Sequence, residues 1–457
     1  METNIRTAQE RSERRKKRMI GYGKNREETV RNKIKQGIRM LFVLAGITYM
    51  ASGCGFAEQA ELLKNELSKA GIESGKPKEP QKKKKKQKKS EKKTPVKETE
   101  TKAPSEAGTE EDTESAGQFP KREEDLAYAD NYAYQTLTDT EKEVYHEMLT
   151  AILEHEEEID VSTLEVDLLE TVYKALCSDY GGLYWVSGYA YTQYTRGGEA
   201  VGLKFAPKYT MDAQERETLQ QQIDASVEEL LAGISITDSD YAKAKYVFEI
   251  LVQNVDYDAS ADNNQNIISA FLNRATVCQG YACATQYLLK LLGIQSVIVT
   301  GNANGESHAW NLVRLDNDYY YMDTTWGNSR YLDATSQMEK YVNYNYLAIT
   351  SEEIGRTHVL DNSFRLPECT ASDNNYFIRE RRYFEEWNPQ AVGALLANTW
   401  NAGGGDVAVK FASSELYGQA LQYFVAEQHI ADYCENISSI YYLEDKELYV
   451  LTFHLTR

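Results

Sequence analysis

Residues 276–326, TVCQGYACATQYLLKLLGIQSVIVTGNANGESHAWNLVRLDNDYYYMDTTW, decide how the rest of the chain is read. Within them Tyr281, Ala284, Thr285, Leu288 and Leu292 recur at helical spacing, and Gly293 supplies a stop. Cys278 stands at the N-terminus of this helix. At about 100° per residue it projects on the side of Tyr281, Thr285 and Leu288, whereas Cys283 falls on the opposite side with Tyr287 and Lys290. A thiol at a helix start meets the positive end of the dipole and unpaired backbone N–H groups. Both favour thiolate, the form that attacks carbonyls.

After Gly293 come two apolar runs, 295–300 and 308–315, joined by the Gly/Asn-rich loop GNANGES, and a third run, 319–325, follows Asp316-Asn317-Asp318. This is the pattern of a helix followed by an antiparallel meander. Strand side chains alternate, so His308 and Asp323 share a face only if the connection holds an even number of residues. A two-residue connection is expected to leave them four positions apart, roughly 13 Å along the strand, so four or six residues is the expected length. In that register the carboxylate reaches one imidazole nitrogen while the other faces Cys278. A thiol, a base and an orienting carboxylate in this order serve covalent acyl transfer.

The words C-Q-G-Y-A at 278–282, H-A-W-N at 308–311 and D-T-T-W at 323–326 resemble the transglutaminase-like superfamily, whose core is related to papain-like thiol proteases. The resemblance covers roughly 243–328 and includes Asn254-Val255-Asp256-Tyr257-Asp258, where such domains often carry N-x-x-Y-D. It implies an α+β fold in which a helix bears the cysteine and an antiparallel sheet bears the histidine and aspartate. It further implies Cys278 as nucleophile, His308 as base and Asp323 as third member of a triad.

The expected oxyanion donors are the Cys278 backbone N–H and one side chain, Tyr257 or Gln279, with Trp310 or Trp326 walling the cleft. No metal or organic cofactor is implied, and no loop has EF-hand spacing. The superfamily includes cross-linking enzymes, peptidases, peptide N-glycanases and inactive binding domains. Two readings follow. One is a thiol enzyme acting on peptide or glutamine-type amides; the other is a non-catalytic wall-binding or protein-binding lipoprotein with a vestigial triad.

Charge is unevenly spread over the 457 residues. The segment 126–457 carries 21 Lys/Arg against 49 Asp/Glu, a net charge of −28. That balance argues against nucleic-acid binding and favours cationic partners. Six cysteines, at 54, 177, 278, 283, 369 and 434, show no CxxC or His/Cys cluster with metal spacing. With Cys54 lipidated and Cys278 catalytic, the other four, Cys177, Cys283, Cys369 and Cys434, are expected to be mostly reduced and buried, with room for one disulfide. The 33 tyrosines, clustered at 189–194, 319–321 and 341–346, suit half-exposed strand faces as well as they suit sugar or peptide stacking.

The N-terminal quarter has a different character. Residues 1–39 hold 13 Lys/Arg, and 40–53 run uncharged as MLFVLAGITYMASG before Cys54. Fourteen uncharged residues are short for a membrane span. A basic region, a short apolar run and Ala51-Ser52-Gly53-Cys54 are similar to a bacterial lipoprotein signal peptide with its lipobox. The expectation is a chain exported and held by lipid on Cys54 at the outer face of the membrane, acting on protein or peptidoglycan-peptide substrates. Segment 57–125, with KKKKKQKKSEKK at 82–93, has too few apolar residues to offset ordering entropy and is expected to be a disordered tether.

The expected organisation is 1–56 signal peptide and lipobox, 57–125 tether, 126–236 helical and hairpin region, 237–366 transglutaminase-like core, and 367–457 a small α+β module. Thr138 to Glu141 is a capping box for a helix, Ser162 to Glu165 is expected to open a second, and Arg196-Gly197-Gly198 marks a hairpin. Two longer helices are expected at about 212–234 and 239–255. Asp179 to Trp185 resembles a D-x-P-x-x-F/Y-W stretch of some secreted transglutaminase-like proteins, with Gly181 in the proline's place. Strands are expected at 341–349, 407–411, 440–443 and 448–455, and helices near 388–397 and 416–429.

Overall fold

The computed structural model of the chain describes residues 120, 122–332, 338–361, 364–437 and 440–456. The expected signal segment with Cys54, and most of the expected tether, lie outside those residues. Among the described residues no helix is long and apolar enough to cross a membrane.

The folded chain starts before Leu126. In the 3₁₀ turn Glu123–Asp125, Glu123 is buried and its carboxylate accepts the Gly182 N–H at 2.6 Å. Arg122 donates to Asp224 and Glu217. Composition placed this charged run in the tether, but Arg122, Glu123 and Glu124 have fixed partners in the fold, and a paired charge can be ordered.

Helix α1 (Asp139–Leu153) opens on the capping box of Thr138 and Glu141 and buries Val144, Tyr145, Met148 and Ile152. Helix α2 (Val166–Asp179) begins later than expected: Ser162 bonds the Glu147 carboxylate instead of capping, and the N-cap Glu165 makes no side-chain hydrogen bond. At its far end the buried Asp179 carboxylate accepts the N–H groups of Ala133 and Tyr134, both at 2.9 Å, and the hydroxyl of Tyr145 at 3.1 Å. Burial nevertheless pushes its pKa up to about 6. Strands β1 (Val186–Arg196) and β2 (Glu199–Tyr209) form a hairpin whose turn residues Gly197 and Gly198 both have positive φ, as the twist of a two-residue hairpin loop requires. Helices α3 (Ala213–Leu231) and α4 (Asp240–Asn254) follow, capped by Asp212 and Ser239.

The central layer is α5 (Cys278–Leu291) packed on a five-stranded antiparallel sheet. Its strands are β3 (Ser296–Ala303), β4 (Glu306–Leu315), β5 (Asp318–Met322), β6 (Leu347–Ile349) and β7 (His358–Leu360), in the order β6-β5-β4-β3-β7. This is the expected α+β core with a meander after the cysteine helix. Leu288, Val297, Val299, Leu312 and Tyr321 all belong to the main buried cluster, each fully buried aliphatic side chain being worth about 1.5–3 kcal/mol. Gly280 is needed at the helix start, because a Cβ there would lie 1.9 Å from Thr276 Oγ1.

Two expectations about the sheet are corrected. The β4–β5 connection has two residues, Asp316 and Asn317, both at positive φ, with Leu315 opposite Asp318. Extending that register sets His308 level with Thr325, so Asp323 lies two positions away and not four. The expected strand 341–349 is broken into the end of an outer hairpin (Asn328–Leu332 with Met338–Val342), a 3₁₀ turn at Tyr344–Tyr346, and β6. Asn343 caps that turn through the Asn345 N–H, and a capped turn competes with extension.

The C-terminal residues form β8 (Tyr383–Phe384), α6 (Pro389–Asn401), β9 (Gly405–Phe411), α7 (Ser414–Ala420), β10 (Tyr441–Asp445) and β11 (Val450–Leu455), with strand order β8-β9-β11-β10. They enclose a second buried cluster around Leu396, Val409, Phe424 and Phe453. The expected helix 416–429 is shorter, giving way to a π turn at Leu421–Ala426 and to Gln428 in the left-handed region. The module is tied to the core by Lys410 to Glu353 and by Asn345 to Asp445.

Candidate active site

The segment before α5 sets the position of Cys278. Asp256 and Tyr257 pair in parallel with Ala275 and Thr276, and the Asp258 N–H donates to Thr276 O at 2.9 Å. This is what the N-V-D-Y-D stretch does: it braces the strand that feeds the cysteine helix. Tyr281, one turn into α5, donates its hydroxyl to Val255 O at 2.6 Å. Val277 is the N-cap and offers no side-chain acceptor, so no side chain caps the N–H groups of the first turn. Cys278 is half-buried there, whereas Cys283 is buried and its thiol pKa is pushed up to about 12, chiefly by burial.

Strand β4 delivers His308 and strand β5 delivers Asp323. His308 Nε2–H donates to Asp323 Oδ2 at 2.8 Å. Nδ1 is not used in that bond, and Cys278 lies near enough to act electrostatically on the ring. Burial pulls the imidazole pKa down, but the Asp323 charge and hydrogen bond, then the nearby Cys278, outweigh it and raise the pKa to about 10.

Asp323 directly follows β5 and caps the one-turn helix Thr324–Gly327, its Oδ1 accepting the Trp326 N–H at 3.1 Å. It is fully buried. Burial alone would raise its pKa; the charge and hydrogen bond of His308, then those of His358, hold it well below the ordinary carboxylate range. Helix and sheet are locked at this point by Asn311 Nδ2 to Ala282 O at 3.0 Å and by a hydrogen bond between the Thr285 and Thr324 hydroxyls at 2.8 Å.

His358 had no place in the sequence reading. It sits on the edge strand β7, buried, with Nε2–H donating to Asp323 Oδ2 at 3.2 Å and Nδ1 accepting from the Thr357 hydroxyl at 2.8 Å. The aromatic rings of Trp326 and Trp310 lie 4.6 and 4.9 Å from its ring. No local pattern marks a lone histidine in T-H-V-L, and only the return of the chain beside β3 brings it to Asp323. His308, Asp323 and His358 are also the group of side chains, among the described residues, whose ligand atoms converge closely enough to hold a metal ion. The two N–O separations of 2.8 and 3.2 Å already match hydrogen bonds from both imidazoles to one oxygen.

The remaining expected site residues divide. Trp310 is buried and stacks with its ring 5.8 Å from that of His308, so it floors the imidazole. Trp326 is partly exposed, 5.9 Å from the same ring, and walls the cleft. Tyr257 is exposed beside Cys278; lost hydration, then the negative charges of Cys278, Glu306 and Asp323, push its pKa up, which keeps its hydroxyl a donor. Gln279 turns its amide down the helix to Cys283 Sγ at 3.4 Å, away from Cys278. Among the described residues all five cysteines are unpaired; Cys283, Cys369 and Cys434 are buried and Cys177 is exposed.

The stretch that departs from its resemblance also has an explanation. Gly181 N–H donates to Gln286 Oε1 at 2.7 Å, and a Cβ at 181 would lie 2.4 Å from Cys283 O. Proline would lose the donor and meet the backbone of α5.

A cysteine helix laid on an antiparallel sheet that carries the His308–Asp323 pair defines a transglutaminase-like core. The model of the Transglutaminase-like superfamily (Transglut_core) matches residues 228–324. Kyphoscoliosis peptidase of Mus musculus is 22% identical over 161 residues, 31% of this chain and 24% of its own; that of Homo sapiens is 24% identical over 162 residues, 32% and 24%. The chain therefore spans about a quarter of the length of these curated relatives.

Among solved structures, a TGase is similar at 14% identity and a TM-score of 0.23, over 33% of this chain and 48% of that one. The periplasmic domain of TgpA from Pseudomonas aeruginosa is similar at 17% identity and a TM-score of 0.18, over 28% and 55%.

Proposed function

We propose that this chain is a thiol acyl-transfer enzyme acting on peptide or glutamine-type amides of protein or peptidoglycan-peptide substrates. The observation that carries the reading is the His308 imidazole, bonded through Nε2 to the buried Asp323 and acted on electrostatically by Cys278, half-buried at the start of α5. The Cys278 thiolate attacks the amide carbonyl carbon, and the oxyanion takes the Cys278 N–H and the Tyr257 hydroxyl. His308, as imidazolium, gives its proton to the leaving amine, and a thioester remains. Water or an amine then attacks the thioester while His308 takes back a proton, giving hydrolysis or cross-linking respectively.

Intact-mass analysis after a thiol-reactive amide-mimetic probe tests this. One adduct is expected on the wild type at the fast phase, none on Cys278→Ala, and a strongly slowed one on His308→Ala. A Cys278 inert to the probe would instead support a non-catalytic binding protein.

The same proposal places the chain outside the membrane, held by lipid on Cys54, on the support of the basic segment and uncharged run ending in Ala51-Ser52-Gly53-Cys54. Cys54→Ser is expected to abolish palmitate labelling and to release the protein from the membrane fraction.

A further inference from the structure

A groove of about 700 Å³ lies between the one-turn helix Thr324–Gly327 and the turn that follows β10. One side is aromatic, with Trp326, Tyr341 and Tyr346; the other carries the carboxylates of Glu444, Asp445 and Glu447. Lys446 is the one cation among the lining residues, and its exposed ammonium pairs with Glu444 at 3.3 Å.

Three lining residues have buried polar atoms with no hydrogen-bond partner among the described residues: Thr325 Oγ1, Asn328 Oδ1 and Asn345 Oδ1. Thr325 and Asn345 are 8% and 4% exposed. Two of the three atoms are amide oxygens, which only accept. Buried acceptors without donors are rare in folded chains, and an unpaired one calls for a ligand that brings donors.

Acceptors, carboxylates and aromatic faces together fit a cation rich in N–H donors. An ammonium brings three and a guanidinium five, and either sits well against an aromatic face. An acidic or purely apolar group would leave the acceptors unpaired and meet repulsion or desolvated charge. The location gives this chemistry a use. Trp326 lines the groove and also lies 5.9 Å from the His308 ring, so the groove begins at the wall of the thiol centre.

We propose that this groove, built in part by the C-terminal module, is a specificity subsite for a lysine or arginine side chain of a polypeptide substrate, flanking the amide presented to Cys278. The cation held there stays protonated and is not the entering amine. The assignment of the polypeptide as substrate rests on the thiol-enzyme reading; the binding of the cation does not.

The test uses the full chain carrying Cys278→Ala, titrated calorimetrically with a blocked pentapeptide containing one lysine, with its norleucine and glutamate counterparts, and with butylamine. The lysine peptide is expected to bind at least tenfold more tightly than the norleucine peptide. That preference is expected to fall below threefold in Glu444→Gln/Glu447→Gln, and to fall likewise in the single surface variant Glu447→Lys with an unchanged melting temperature. Equal binding of lysine and glutamate peptides, or a preference untouched by both variants, overturns the proposal. Butylamine binding as tightly as the peptide overturns its polypeptide part. If the preference is found while wild-type Cys278 resists the amide-mimetic probe, the thiol-enzyme reading fails and the cation site stands. The converse pattern removes the subsite alone.

Discussion

Asp323 Oδ2 accepts from His358 Nε2 at 3.2 Å on the same oxygen that accepts from His308 Nε2 at 2.8 Å. One buried carboxylate oxygen therefore orients two imidazoles, while its other oxygen caps the turn that carries Trp326. His358 is fixed from behind by the Thr357 hydroxyl. It stands to Asp323 as Asp323 stands to His308: a supporting group that fixes the geometry of the one in front of it. Such supporting partners matter because a small displacement of a catalytic group costs rate steeply.

His358→Leu is accordingly expected to lower the rate of probe acylation by about 10–100-fold, the loss of one charge-assisted hydrogen bond at about 1.5–3 kcal/mol. His358→Gln keeps an N–H donor and is expected to recover most of it. Stopped acylation time courses distinguish this from simple destabilisation, which would lower the melting temperatures of both variants without separating their rates.

The pH dependence follows from the raised imidazole. His308 titrates near 6.5 when unfolded and at about 10 in the fold, so its contribution to stability is fully present below pH 6.5 and is lost as pH rises toward 10. Asp323, depressed in the fold, contributes above its ordinary carboxylate pKa and loses that contribution in acid. The imidazolium partner of Cys278 thus persists through neutral pH. Asp323→Asn removes the charge that raises the ring, so the alkaline limb of the alkylation profile is expected to move to lower pH. Acylation is expected to slow by several orders, about 10⁴ by analogy with serine triads. Alkylation rates measured from pH 5 to 10.5 on both proteins check this.

The two cysteines of α5 are expected to behave oppositely. Burial holds the Cys283 thiol neutral well above physiological pH, so Cys283→Ala should leave fast labelling and turnover within a factor of two. Cys278→Ala should remove both. Peptide mapping of the labelled thiol at pH 8 decides it, and fast label on Cys283 would defeat the assignment.

A proline at 181 is expected to harm this chain. Gly181→Pro loses a buried hydrogen bond to Gln286 and drives a ring into the Cys283 carbonyl, a combined cost of about 3 kcal/mol or more. Denaturant unfolding of the variant reads it directly.

The N-terminal edge of the fold can be located by truncation. Chains starting at 120 and at 126 differ by the buried Glu123 and by the Arg122 pairs with Asp224 and Glu217. The shorter chain is expected to melt at least 2 °C lower, since a loss of about 1 kcal/mol is worth 2–4 °C in a domain of this size.

The sequence by itself determined whatever depends on neighbours along the chain. The position of Cys278 at a helix start, the face that separates it from Cys283, the capping box at Thr138 and Glu141, and the glycine turn at 197–198 all follow from short-range periodicity and local hydrogen bonding. Antiparallel alternation also brought out the His308 and Asp323 strands, because side chains of adjacent strands repeat every two residues. Register was another matter. It turned on whether Asp316 and Asn317 would both take left-handed conformations, a choice fixed by the twist of the paired strands.

Only the tertiary structure decided what arrives from a distance. His358 reaches Asp323 because β7 returns along β3, and Glu444, Asp445 and Glu447 share a groove with Trp326 because the C-terminal hairpin packs against the core. Gln279 could not be sorted from Tyr257 until the side chains had partners, one turning down its own helix to Cys283 and the other standing exposed beside Cys278. The physical reason is common to all three. A hydrogen-bond partner or a pocket wall is set by chain closure and packing over tens of residues, and no local pattern records where the chain comes back.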